Sequence, residues 1–220
     1  MEIEEFPACR GEALLRLRIM YSNKDQKEVR ADRTPEPERY QIMFYKSERT
    51  AIIIDGVNLH GVARALGFEI DYRKLREDIA QRCRLVRSDY YTTILEQEDF
   101  SPIRPLVDWL AYNGFRVHTK SAREFTDQSG RRKIKGSIHV EITVDSLALA
   151  RHVDHIILFS GDGELRAMVA AVQREGCRVT VCSSLKTTPP MVSDDLRRQA
   201  DDFIDFDDLR STVTRPPRDT

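Results

Sequence analysis

From residue 50 onward, short apolar runs alternate with stretches whose apolar residues recur at helical spacing. Ala51-Ile52-Ile53-Ile54 is a continuous apolar run ending at Asp55, the pattern of a strand buried on both faces. Val57 to Leu66 reads as a short helix closed by Gly67. Asp71 is placed to cap a second helix, with Leu75 and Ile79 on its apolar side. Leu85 to Ile94 is strand-like. Ser101-Pro102 opens a helix through Val107, Trp109 and Leu110, and Asn113-Gly114 closes it. Phe115 to Lys120 is the next strand. Residues 125–136 are polar and basic. Ser137 then stands where it can cap a helix with Ile138, Ile142 and Leu149 on one side. His155 to Phe159 reads as a strand, Glu164 to Arg174 as a helix and Arg178 to Cys182 as a strand. Ser193 to Gln199 and Phe203-Ile204 complete the series.

This alternation predicts an α/β fold: a mostly parallel sheet of about five to six strands with helices on both faces and right-handed connections. The flanks look different. Residues 1–48 read as an N-terminal extension and linker outside the core, with a polar stretch from Asn23 to Arg39 that holds Pro35 and Pro37. The domain is expected over 49–210, and 211–220, with Arg215-Pro216-Pro217, as a flexible tail.

Composition narrows the class. The 220 residues carry 35 Lys+Arg against 36 Asp+Glu, a net charge of −1, which excludes a histone-like basic binder but not a nucleic-acid enzyme. No apolar run is long enough to span a bilayer, and Glu2, Glu4 and Glu5 have the wrong sign for a secretory signal. The cysteines Cys9, Cys83, Cys177 and Cys182 are too scattered for a zinc site and read as reduced thiols. A cytoplasmic protein is expected, with no membrane partner and with homodimerisation left open.

The candidate chemistry lies at strand ends. Asp55 follows Ile54 directly, and Asp162 follows Phe159 through a Ser-Gly turn, so both are expected at the crevice beyond the carboxyl ends of the strands. Glu164 stands two residues beyond Asp162. Glu141 and Asp145 share a face of the preceding helix. Carboxylates gathered in one crevice repel each other unless a cation neutralises them, and hard oxygen donors suit Mg²⁺ or Mn²⁺. Such a metal supports phosphodiester hydrolysis. Arg131, Arg132 and Lys135 supply a local basic edge for phosphates, and Gly136 brings Lys135 close to a helix N-terminus.

These residues resemble a known family. Ile54-Asp55-Gly56-Val57-Asn58-Leu59, Lys135-Gly136-Ser137-Ile138-His139-Val140, Asp145 and Ser160-Gly161-Asp162-Gly163-Glu164-Leu165 are similar to the motifs of the NYN domain, in its LabA-like bacterial branch within the PIN-like nuclease superfamily. The resemblance covers about residues 43–210. It implies a PIN-like, Rossmannoid sheet and Mg²⁺- or Mn²⁺-dependent cleavage of RNA. Asp55, Asn58, Asp145 and Asp162 would be the catalytic set. Asp55, Asp145, Asp162 and Glu164, with His139, would be the metal ligands. Lys135, Arg131, Arg132 and Ser160 would be the substrate-binding set.

Two positions depart from the family. Glu164 replaces an Asp, which keeps the charge. His139 replaces the Asp of the Lys-Gly-x-x-Asp motif, which removes a carboxylate. Imidazole binds Mg²⁺ poorly but accepts Mn²⁺, Zn²⁺ or Ni²⁺. His139 therefore reads as an altered ligand, as a general base or phosphate contact, or as the mark of a catalytically impaired paralogue that binds RNA or protein. A phosphatase of the haloacid dehalogenase type is excluded by Val57, where its nucleophile motif needs a second Asp, and there is no P-loop or GxGxxG fingerprint.

Overall fold

The computed structural model describes residues 44–95, 103–126 and 132–216. The first strand is β1 (Arg49–Asp55), followed by helices α1 (Gly56–Leu66) and α2 (Tyr72–Arg82). Next come β2 (Arg84–Leu95), α3 (Arg104–Tyr112), β3 (Arg116–Thr126), β4 (Arg132–Lys135) and α4 (His139–Ala150). The second half holds β5 (His155–Phe159), α5 (Arg166–Arg174), β6 (Arg178–Ser183), α6 (Asp194–Gln199), β7 (Asp202–Asp205) and α7 (Arg210–Val213).

The strands form one seven-stranded sheet in the order β4-β3-β2-β1-β5-β6-β7. All neighbours are parallel except β3 and β4, so β4 adds an antiparallel edge beyond the five to six strands expected. Strand β1 buries six of its seven residues. Its Ile52 and Ile54 join one apolar cluster with Leu59, Leu75 and Phe115, under α1, α2 and α3. Its Ala51 and Ile53 join another with Ile142, Val169 and Leu196, under α4, α5 and α6. Period-two alternation thus assigns successive side chains to opposite helical layers, which is why the run reads as uninterrupted apolar sequence.

The local signals for α1 and α2 behave as expected. Asp71 accepts from the amides of Arg73 and Lys74 at the start of α2. Gly67 has φ 77° after α1, with Gly67 N–H bonding Arg64 O and Phe68 N–H bonding Ala63 O. At α4 the cap differs: Ile138 holds the cap position, and Ser137 Oγ instead accepts from the His139 amide at 3.2 Å. Helix α3 begins at Arg104, and Ser101-Pro102 lies outside the described residues.

Residues flanking 49–210 on both sides contact the sheet and its helices. Phe44, from the expected extension, packs its ring against His155, and Glu48 Oε2 accepts from Arg178 at 2.7 Å. The earlier part of the extension lies outside the described residues. At the other end α7 continues past 210, with Val213 fully buried and Arg215 N–H bonded to Glu69 O. Cys83, Cys177 and Cys182 are buried free thiols, and Cys9 lies outside the described residues. Among the described residues no helix is long and apolar enough to cross a membrane.

Candidate active site

Strand order reverses between β1 and β5: the chain first builds β2 and β3 on one side of β1, then β5, β6 and β7 on the other. Loops leaving two such strands diverge, and the crevice between them is where open α/β sheets place their ligands. Register sets β1 and β5 level at that end, Ile54 beside Phe159.

Asp55 is the last residue of β1 and only 3% exposed. Its Oδ1 accepts from the Asn58 amide at 3.2 Å, capping α1, and its Oδ2 accepts from Ser160 Oγ at 3.1 Å. Ser160 is fully buried, and its hydroxyl oxygen also accepts from the Asp162 amide at 3.2 Å. Ser160 thus links the Asp55 carboxylate to the backbone that carries Asp162. Asn58 is likewise a bracing residue: its Oδ1 accepts from the Gly161 amide at 2.9 Å, tying the loop after β1 to the loop after β5. Gly161 has no alternative there, because a Cβ would lie 1.8 Å from Met191 O. Asp162 Oδ1 accepts from the Glu164 amide at 2.9 Å and caps the 3-10 turn Gly163–Leu165 that leads into α5.

His139 enters from across the crevice as the first residue of α4. Its Nδ1 is 2.9 Å from Glu164 Oε2, and its Nε2 is 3.5 Å from Asp55 Oδ2 and 3.6 Å from Asp162 Oδ2. The interaction with Asp55 is the largest influence and outweighs desolvation; with Glu164 and the Asp162 charge it pushes the His139 pKa up to about 9. At neutral pH the ring is an imidazolium ringed by three carboxylates, so the centre already selects for positive charge. His139, Asp162 and Glu164 each offer one ligand atom, all within 4.8 Å of one another. That donor set fits a divalent cation, and its nitrogen fits Mn²⁺ better than Mg²⁺.

Asp145 is not part of that group of ligand atoms. Its Oδ2 accepts from Tyr91 Oη at 2.9 Å and lies 3.5 Å from His118 Nδ1. His118 Nε2 is in turn 3.0 Å from Oδ1 of the buried Asp89. Tyr91, level with Asp55 on the neighbouring strand, and His118, level with Tyr91 on the next, bring these side chains together. Glu141 is also drawn aside, to Lys120 Nζ at 2.8 Å, and that ammonium lowers its pKa. Lys120 further donates to Ser137 O at 2.8 Å. The backbones of Arg132 and Lys135 lie on edge strand β4, while Arg131 and the side chains of all three lie outside the described residues.

Tyr91, His118 and Asp89 were not found from sequence. The available signal was Asp89, an ionisable residue inside an otherwise strand-like run, a placement that requires a partner. A separate groove of about 1090 Å³ is lined by Arg64, Phe68, Arg73 and Trp109. His60, Glu69 and Asp71 also line it, and Asp71 caps α2.

The family model of the NYN domain matches residues 49–209. The low amplitude and bright protein LabA of Synechococcus elongatus is 30% identical over 180 residues, covering 80% of this chain and 93% of that protein. The crystal structure of a protein of unknown function from Vibrio parahaemolyticus superposes with a TM-score of 0.58 at 28% identity, covering 72% of this chain and 92% of that one.

Proposed function

Taking as premise that the chain belongs to the NYN domain family, we propose that it is a metal-dependent ribonuclease acting on RNA phosphodiester bonds with Mn²⁺ or Mg²⁺. The observation that supports this most is the convergence of Asp55, Asp162, Glu164 and His139 from two strand ends and a helix start onto one partly exposed point. Asp55, Asp162 and Glu164, with neutral His139, would hold the metal, and Asp145 would add a carboxylate from α4. When bound, the metal supplies a Lewis acid that activates water and neutralises phosphate charge.

The protein's own residues do the rest. Ser160 and the Asn58 amide fix both oxygens of Asp55. Asn58 Oδ1 and the tight packing of Gly161 set the distance between the two loops. To serve as a ligand His139 would have to be neutral, giving up its proton to solvent. Lys135 and Arg132, on the edge strand that leads into α4, together with Arg131, would hold the RNA backbone.

Cleavage of a labelled single-stranded RNA by the full chain, with Mn²⁺ and with Mg²⁺, tests the reading. Turnover is expected, faster with Mn²⁺, and lost in Asp55→Asn and in Asp162→Asn. Full activity in both variants overturns it.

A second reading draws on the same imidazolium. A fixed positive charge among the acids stands in for the cation, as expected of an impaired paralogue that binds RNA or protein without turnover. In that case His139→Asp switches on metal-dependent cleavage in an inactive parent. If wild type already matches the His139→Asp variant, this second reading fails.

A further inference from the structure

Two side chains from the sheet reach the Asp145 carboxylate, and none of the family motifs contains them. Tyr91 Oη donates to Oδ2 at 2.9 Å, and His118 Nδ1 lies 3.5 Å from the same oxygen. The Tyr91 and His118 rings stack at 4.4 Å with planes 10° apart, so each limits the other's rotation. Behind them Asp89, 1% exposed, holds His118 Nε2 at 3.0 Å. Arg87 and Arg116 place guanidinium nitrogens 3.9 Å and 3.8 Å from Asp89, balancing its buried charge. Both contacts to Asp145 end on the same oxygen. Its Oδ1 has no protein partner among the described residues, and the side chain is 44% exposed.

An exposed Asp on a helix samples several rotamers, and ordering it on binding costs entropy. Here that ordering is already done, because Asp145 is held from the sheet by the Tyr91 hydroxyl. Supporting residues of this kind align ligands and carry measurable affinity.

We propose that Tyr91, His118 and Asp89 are positioning residues that fix Asp145 through one oxygen and keep its other oxygen free as a cation ligand for the acid centre. The proposal rests on the ribonuclease reading in that it gives Asp145 a metal to serve.

Two readouts on the full-length protein test it: Mn²⁺ affinity from the signal of free Mn²⁺ in electron paramagnetic resonance, and steady-state cleavage of labelled single-stranded RNA. Tyr91→Phe keeps the ring and removes only the hydroxyl. It is expected to weaken Mn²⁺ binding about 10-fold and to lower kcat with KM for RNA unchanged. Asp145→Asn is expected to lose at least as much. The double variant should match Asp145→Asn alone, because the hydroxyl acts only through that carboxylate. His118→Asn should fall between wild type and Tyr91→Phe, and it serves if Tyr91→Phe does not fold. Additive losses in the double variant, or single variants within twofold of wild type in both readouts, overturn the proposal. A wild type that binds Mn²⁺ but cleaves no RNA overturns the ribonuclease reading, and the affinity cycle still decides the positioning. A wild type with no Mn²⁺ affinity overturns the positioning proposal as well.

Discussion

Two histidines sit among carboxylates on the same side of the sheet, and their surroundings give them opposite characters. His139 meets Asp55, Asp162 and Glu164 at the ends of β1 and β5, where chains leave the sheet and Glu164 is 73% exposed. His118 lies within β3, wedged between buried Asp89 and Asp145 and stacked on Tyr91. The first group is an open cluster whose carboxylates outnumber its one cation. The second is a closed brace in which the buried carboxylate already has a partner. Residue types alone do not separate the two groups. What separates them is whether a strand ends there, because only a strand end leaves several donors facing a common unfilled point.

That comparison is broken most severely at Asp55. Asp55→Asn keeps the side-chain shape but removes charge and one acceptor from the open cluster, and RNA cleavage should fall beyond the about 100-fold at the top of the range for supporting residues. In Tyr91→Phe, on the brace side, the loss should stay near 10-fold, so equal losses would erase the distinction.

Gly161→Ala should come next. Its Cβ would sit 1.8 Å from Met191 O, a backbone atom, so the loop after β5 must move. Urea denaturation should show a loss of about 1–3 kcal/mol, as for overpacking a filled site. Cleavage should fall further than stability alone explains, since Asn58 and Asp162 are displaced together. An unchanged midpoint would show that the two loops are not locked.

The third test uses pH. Folding raises the His139 pKa from 6.5 to about 9, so the folded state holds this proton more tightly. Its stabilising contribution is fully present below pH 6.5 and is lost as pH rises through about 9. The urea midpoint of metal-free protein should therefore drop between pH 7 and pH 9.5, and the drop should shrink in His139→Gln. A third histidine has the opposite sign. Burial, aided by the Arg178 charge, lowers fully buried His155 to about 3. The unfolded chain then takes up a proton that the folded one refuses, and stability falls as pH drops from 6.5 toward 3. That slope should be absent in a His155 variant that still folds.

The smallest effect is expected at Lys120→Met. Its pair with Glu141 is partly exposed on both sides, and such pairs contribute roughly 0–1 kcal/mol. A large loss of cleavage there would move Glu141 into the site, against the geometry seen.

Much of this was legible in the sequence, and the rest was not for a physical reason. Asp55 and Asp162 announce themselves because each ends an apolar run, and strand ends are encoded locally. The caps at Asp71 and Gly67 are equally local. The division of the acids was hidden. Asp145 lies on the same helix as His139, and only the sideways register of β1, β2 and β3, which places Tyr91 and His118 beside Asp55, brings partners from the sheet to one of its oxygens. Pairing between strands depends on residues far apart in sequence, so no window along the chain contains it. The antiparallel edge strand β4 was missed because its basic residues mask any apolar alternation, and α7 because a single buried Val213 is a faint signal.

The central position of β1 also bears on how the protein is made. Among the described strands β1 is the first to leave the ribosome, yet it lies between two neighbours, and the bond from Ser160 to Asp55 at its end joins residues 105 positions apart. At about 5–20 residues per second, roughly 5–20 s pass between the synthesis of Asp55 and that of its partners. During that interval the most apolar strand of the domain has one free edge, and the chain has no complete acid cluster. A nascent chain therefore lacks the assembled acid cluster until β5 has docked beside β1.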